Sequence, residues 1–92
     1  MTKQDREKQY LSLKSMFEAN NVRKLKDIEK IYPTMVALDM GTNHGRYIKK
    51  LHNPESFTIK QIFKLAALIN INPSIIINII VTEVMAKNKT KK

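Results

Sequence analysis

Between Asp39 and Glu55 the chain carries no acidic residue, yet His44, Arg46, Lys49, Lys50 and His52 all fall in that window. Asn43, His44 and Arg46 stand together at its start. Asparagine can pair with adenine and arginine with guanine, each through two hydrogen bonds. Such chemistry needs a rigid element that carries these side chains into a groove. The stretch from Thr34 to Leu51 supplies a candidate: a short helix, a tight turn and a second short helix. Ala37 provides the small residue that two steeply crossing helices require, and Gly41, four positions on, tolerates positive φ in the turn. A solvated basic face with no partner is the bland alternative, and the net charge taken with the turn chemistry favours DNA over it.

Other chemistries find little support. The sequence has no cysteine, which excludes a disulfide framework, a thiolate nucleophile and Cys-ligated metal. The two histidines, His44 and His52, are flanked by Asn, Gly, Leu and Asn rather than by acids. No paired-carboxylate or Ser/His/Asp pattern appears, so no catalytic residue, metal or cofactor is expected, and no enzyme. Gly41 and Gly45 have the spacing of a membrane dimer motif, but polar residues surround them. Among the basic residues only Tyr47 is placed to stack a base, which makes single-stranded RNA a weaker target than duplex DNA.

The whole chain fits that picture. Its 92 residues and 10.7 kDa accommodate one domain plus tails. Seventeen Lys and Arg against eight Asp and Glu give a net charge of +9, and 42 % hydrophobic residues suffice for a core. Residues 1–30, 31–80 and 81–92 carry an excess of three positive charges each, so the folded surface itself should be electropositive. The longest apolar run, Ile75 to Val81, is broken by Asn78 and is too short to span a bilayer. Residues 1–10 are polar with no apolar segment behind them, unlike a signal peptide. A cytoplasmic protein binding a polyanion is the expectation.

With two glycines in the chain, helices are the default. Tyr10, Leu13, Met16 and Phe17 recur at helical spacing, predicting a first helix over 4–20 that Asn20-Asn21 ends. Leu25, Ile28, Ile31 and Tyr32 repeat the spacing up to Pro33, which opens the next helix with Val36, Ala37 and Met40 inward. Thr42 or Asn43 caps a helix carrying Tyr47, Ile48 and Leu51, and Asn53-Pro54-Glu55-Ser56 forms a turn. Thr58 and Gln61 make a capping box before the stripe Ile59, Ile62, Phe63, Ala66, Ile69. Asn72-Pro73 starts the last segment.

That segment is rich in β-branched residues, which favours a strand by propensity, while its start and length favour a helix. Ile75, Ile76, Ile77, Ile79, Ile80, Val81, Val84 and Met85 cannot all face one small core. If Ile76, Ile79 and Ile80 pack on Ile62, Phe63 and Ala66, then Ile77, Val81 and Val84 face outward. A homodimer through residues 74–85 would cover them, as would the first helix folding back. Lys87, Lys89, Lys91 and Lys92 read as a frayed, solubilising terminus.

Thr34, Ala37, Gly41, a basic short helix, Asn53-Pro54, Phe57-Thr58, Leu65-Ala66 and Asn72-Pro73 stand in an order that resembles the helix-turn-helix domain of the Cro and lambda-repressor class, the XRE family. The resemblance spans roughly residues 24–82, and each of its motifs is individually of low specificity. It implies an all-α, compact bundle of about five helices containing a helix-turn-helix. One domain would cover 1–86, with an N-terminal helix 4–20, the helix-turn-helix 33–52, C-terminal helices 58–86 and a basic tail 87–92. It further implies a recognition helix in the major groove, dimers on paired half-sites and a role in transcription regulation. The expected DNA-contacting set is Thr34, Thr42, Asn43, His44, Arg46, Lys49 and Lys50, with Ala37 and Gly41 as structural turn residues. Three departures stand out. Lys50 occupies a position the family fills with an apolar residue, which leaves two registers for the base-reading face. Gly45 lies inside the recognition helix, and residues Lys24 to Ile31 lengthen the link ahead of the motif. An antitoxin or phage-associated adaptor, whose main partner is another protein, is the alternative function on the same fold.

Overall fold

Local capping chemistry sets most of the helix boundaries in the computed structural model, which describes residues 3–90. The first helix, α1 (Lys3–Glu18), gives way to a turn in which Asn20 adopts a φ of 59°. Asparagine is among the few residues that tolerate this left-handed conformation. Pro33 is the first residue of α2 (Pro33–Asp39), where its missing N–H costs no hydrogen bond. Asn43, rather than Thr42, caps α3 (His44–His52): its Oδ1 accepts the Arg46 N–H at 2.8 Å. Ahead of α4 (Ile59–Ile69), Thr58 and Gln61 form the reciprocal capping box, at 3.0 and 3.1 Å. Asn70, with a φ of 65°, ends α4, and Asn72 Oδ1 accepts the Ser74 N–H at 2.9 Å to start α5 (Pro73–Thr90).

The described residues contain no strand, so the β-branched 74–85 segment is helical. Burial against the core outweighs the propensity of its isoleucines. One cluster joins Leu13 and Phe17 of α1, Val36 and Ala37 of α2, Tyr47 and Leu51 of α3, Leu65 and Ile69 of α4, and Ile76 of α5. The result is the small all-α bundle of five helices that the sequence led us to expect. Residues 24–31 also join the core. Leu25–Ile28 is a 3₁₀-helix whose Leu25 and Ile28 are fully buried, packed against α3 and α5.

Three packing expectations need correction. Ile59 and Phe63 are 63 % and 54 % exposed, and Leu65 takes the inward place. The core-facing stripe of α4 is therefore Ile62, Leu65, Ala66 and Ile69. On α5, Ile77 and Val84 are half-buried against the core instead of outward, while Val81 and Met85 are exposed. With α1 packed against α4, that outer side of α5 is left open. The helix also runs past the expected end at 86 to Thr90, where a frayed tail was foreseen. Lys87 holds Glu83, one turn back, at 3.6 Å and Glu55 at 3.9 Å. Lys91 and Lys92 lie outside the described residues. No described helix is long and apolar enough to cross a membrane.

Candidate nucleic-acid interface

α2 and α3 pack directly on each other, with Ala37 at 1 % exposure. The turn between them closes by two backbone bonds. Gly41 N–H donates to the Leu38 carbonyl and Thr42 N–H to the Ala37 carbonyl, each at 3.0 Å. This pairing is the Schellman stop, and it requires a left-handed residue where Gly41 sits at a φ of 76°. Small residue, glycine and turn geometry thus coincide as the spacing suggested.

α3 is strongly two-sided. Tyr47 and Leu51, one turn apart, are fully buried and Ile48 is half-buried. At about 100° per residue, Arg46 and Lys49 lie on the side opposite that pair. Both are exposed, and neither forms an ion pair among the described residues. His44 is exposed at the leading end. Asn43 is exposed there too, but its Oδ1 is committed to the cap, which leaves its amide NH₂ for other partners. Thr34 is exposed in the first turn of α2, and Thr42 is half-buried in the turn itself.

Lys50 departs from this group. Its Nζ donates to the Ser56 carbonyl at 2.9 Å and stands 5.8 Å from the centre of the Phe57 ring. The side chain is drawn along α3 toward the connection to α4, away from Lys49. The inward positions are Tyr47 and Leu51, so a lysine where an apolar residue was expected leaves the helix in register. Its stem packs and its amine finds an acceptor. His52 likewise turns to the body of the fold, with its Nε2 hydrogen-bonded to Glu29.

Two contributions escaped the sequence. Asp39, the last residue of α2, is held by the Arg6 guanidinium and by the Tyr10 hydroxyl at 2.6 Å, both from α1. A carboxylate at a helix C-terminus opposes the helix dipole, and Arg6 offsets that charge. Lys64 of α4 lies over the turn, its Nζ 3.9 Å from where a Cβ on Gly41 would be. Neither relation has a local signal, since both join residues more than twenty positions apart. No family model, curated protein or solved structure matches the chain.

Proposed function

We propose that this protein is a sequence-specific double-stranded DNA-binding protein that regulates transcription in the cytoplasm. The observation that supports it best is α3 itself. Its inner side is fixed by Tyr47 and Leu51, while Arg46 and Lys49 stand exposed on the outer side without ion-pair partners among the described residues. Arg46 and Asn43 are the base-reading candidates, and His44, Thr34 and Thr42 are their neighbours at the same end of the motif. Lys49 serves the phosphates, and Lys64 joins it beside the turn. Asp39, the acid that ends α2, is held by Arg6, and Glu29 is held by His52. A two-fold pairing of α5 through Val81 and Met85 would set two recognition helices about one DNA turn, or roughly 34 Å, apart.

Binding to duplex DNA across a salt series tests this reading. A linear fall of log affinity with log salt, together with a preferred sequence in a random-duplex selection, is the expected result. Affinity independent of salt would reject it. The exposed Val81 and Met85 favour one alternative, an adaptor or antitoxin that uses α5 to hold a different protein. That role predicts no selectable DNA sequence.

A further inference from the structure

The cap of α3 restricts what Asn43 can read. Its Oδ1 accepts the Arg46 N–H at 2.8 Å, and only an acceptor can meet an N–H. The cap therefore fixes which arm of the carboxamide faces the helix. A Cβ on Gly45 would stand 3.6 Å from the same oxygen, so Oδ1 lies against the first turn of α3. An asparagine–adenine pair needs both arms turned to one base, the oxygen taking N6–H and the nitrogen giving to N7. Turning Oδ1 to a base would release the Arg46 N–H and undo the cap. Asn43 is left with Nδ2, a donor.

The neighbouring outward side chains are donors as well. Arg46 and Lys49 are exposed, carry no acceptor and form no ion pair among the described residues. His44, which can accept, stands about 160° around the helix from Arg46. Asn43 and Arg46 are three residues apart, about 4.5 Å along a helix, against about 3.4 Å between base pairs, so they meet neighbouring pairs. A G·C pair shows two adjacent acceptors in the major groove, N7 and O6. An A·T pair sets the adenine N6–H₂ donor between its two acceptors, and a face of donors leaves that amine unmet. We propose, resting on the duplex reading above, that Asn43 determines specificity by giving Nδ2 to the guanine of a G·C pair. Arg46 reads the guanine of the next pair, and adenine is rejected at the Asn43 position. The preferred half-site holds two consecutive G·C pairs.

The test is a random-duplex selection with the full chain and with Asn43→Asp, Asn43→Ser and Arg46→Ala. Aspartate and serine keep an oxygen for the cap, so urea midpoints should barely move. Aspartate has no donor there, and serine is too short to reach a base. The unmodified protein should select two neighbouring G·C pairs. Preference for G·C over A·T at one of them should fall about fivefold in both Asn43 variants, and at the other in Arg46→Ala. Should the Asn43 variants fail to fold, the unmodified protein still decides. A 2,6-diaminopurine opposite thymine puts an amine where the guanine O6 stood, and at either pair it should weaken binding about fivefold. A·T at the position that responds to Asn43, no responding position, or unchanged affinity for the diaminopurine duplex would overturn the proposal. No selected sequence for the unmodified protein would reject the duplex reading itself, and this assignment with it.

Discussion

Tyr10 donates its hydroxyl to Asp39 Oδ2 at 2.6 Å, and the Arg6 guanidinium takes the other carboxylate oxygen. One turn of α1 thereby grips the final residue of α2, just before the chain turns into α3. Hydrogen bonds to charged groups contribute more than neutral ones, about 1.5–3 kcal/mol when little exposed. Tyr10 is half-buried, so Tyr10→Phe should cost about 1–2 kcal/mol in urea unfolding. A double-mutant cycle with Asp39→Ala should return a coupling above about 0.5 kcal/mol. Strictly additive losses would mean the bond contributes nothing.

Tyr47 presents the opposite case, a fully buried phenol whose hydroxyl has no partner. Burial, with a smaller contribution from nearby Tyr10, pushes its pKa far above the ordinary 10.0. Because the folded value is the higher one, the stabilisation is complete below pH 10 and is lost as pH rises beyond it. Tyr10 is shifted the same way by burial and adds to the loss. Tyr47→Phe should therefore flatten the alkaline fall in stability. It should also be at least as stable at neutral pH, since an unsatisfied buried hydroxyl costs about 1–3 kcal/mol. Urea midpoints at pH 7 and pH 11 decide this. An alkaline fall as steep as in the unmodified protein would refute it.

The two glycines should respond in opposite directions. A Cβ at Gly41 would make only an ordinary contact, with Lys64 Nζ at 3.9 Å, but φ is 76°, so Gly41→Val should cost more than about 1 kcal/mol through backbone strain. Gly45 lies within α3 with ordinary backbone, and a Cβ there meets only Asn43 Oδ1 at 3.6 Å. Gly45→Ala should then raise stability by up to about 1 kcal/mol. If this stabilised variant binds DNA more weakly, the α3 backbone at Gly45 approaches the sugar-phosphate wall closely. Equal melting temperatures for Gly41→Val and the unmodified protein would contradict the turn geometry.

The cations of α3 should divide by position. Arg46→Ala should relax preference at one base pair, at about 1–3 kcal/mol on the preferred site. Lys49→Ala should weaken all duplexes alike and reduce the salt slope by about one. Lys50→Ala should leave the slope unchanged, because its amine is occupied by the Ser56 carbonyl. A slope that falls for Lys50 and not for Lys49 would reverse the face that meets DNA.

Val81→Lys addresses the outer side of α5. Val81 is 48 % exposed, so a lysine there should not disturb the fold. If two copies meet through this side, the variant should sediment as a folded monomer with much weaker DNA binding. A monomer at high micromolar concentration for the unmodified protein would end the dimer proposal.

Most helix boundaries were legible because their causes are local. Asn20, Asn43, Thr58 with Gln61, and Asn72 each act on backbone within three residues. Ile59 and Phe63 were misplaced because their spacing fits a stripe as well as Leu65 does. The choice between them depends on where α1 and α5 lie, which no helical period records. Lys50 and Lys87 were read as free charges for a related reason. The Ser56 acceptor of Lys50 and the Glu55 partner of Lys87 come within reach only once the chain has turned after α3. Glu83, the nearer partner of Lys87, stands four residues back on the same helix. Tyr32, at a φ of 50° directly before Pro33, is a further surprise, since bulky residues rarely adopt that conformation.

The connection after α3 is cross-tied before any partner arrives. Lys50 reaches the Ser56 carbonyl, Ser56 Oγ donates to the Asn53 carbonyl at 2.6 Å, and Asn53 N–H donates to the Lys49 carbonyl. With Asn43 fixing the other end, the surface around α3 is ordered in the free chain. A macromolecule docking there meets a finished shape and need not drive any part of this segment to fold. Its association should carry the heat-capacity signature of the contact area alone, without the larger change that accompanies coupled folding. The entropy of holding α3 and its connection in place has been spent during folding, so affinity at this face responds mainly to which side chains it displays.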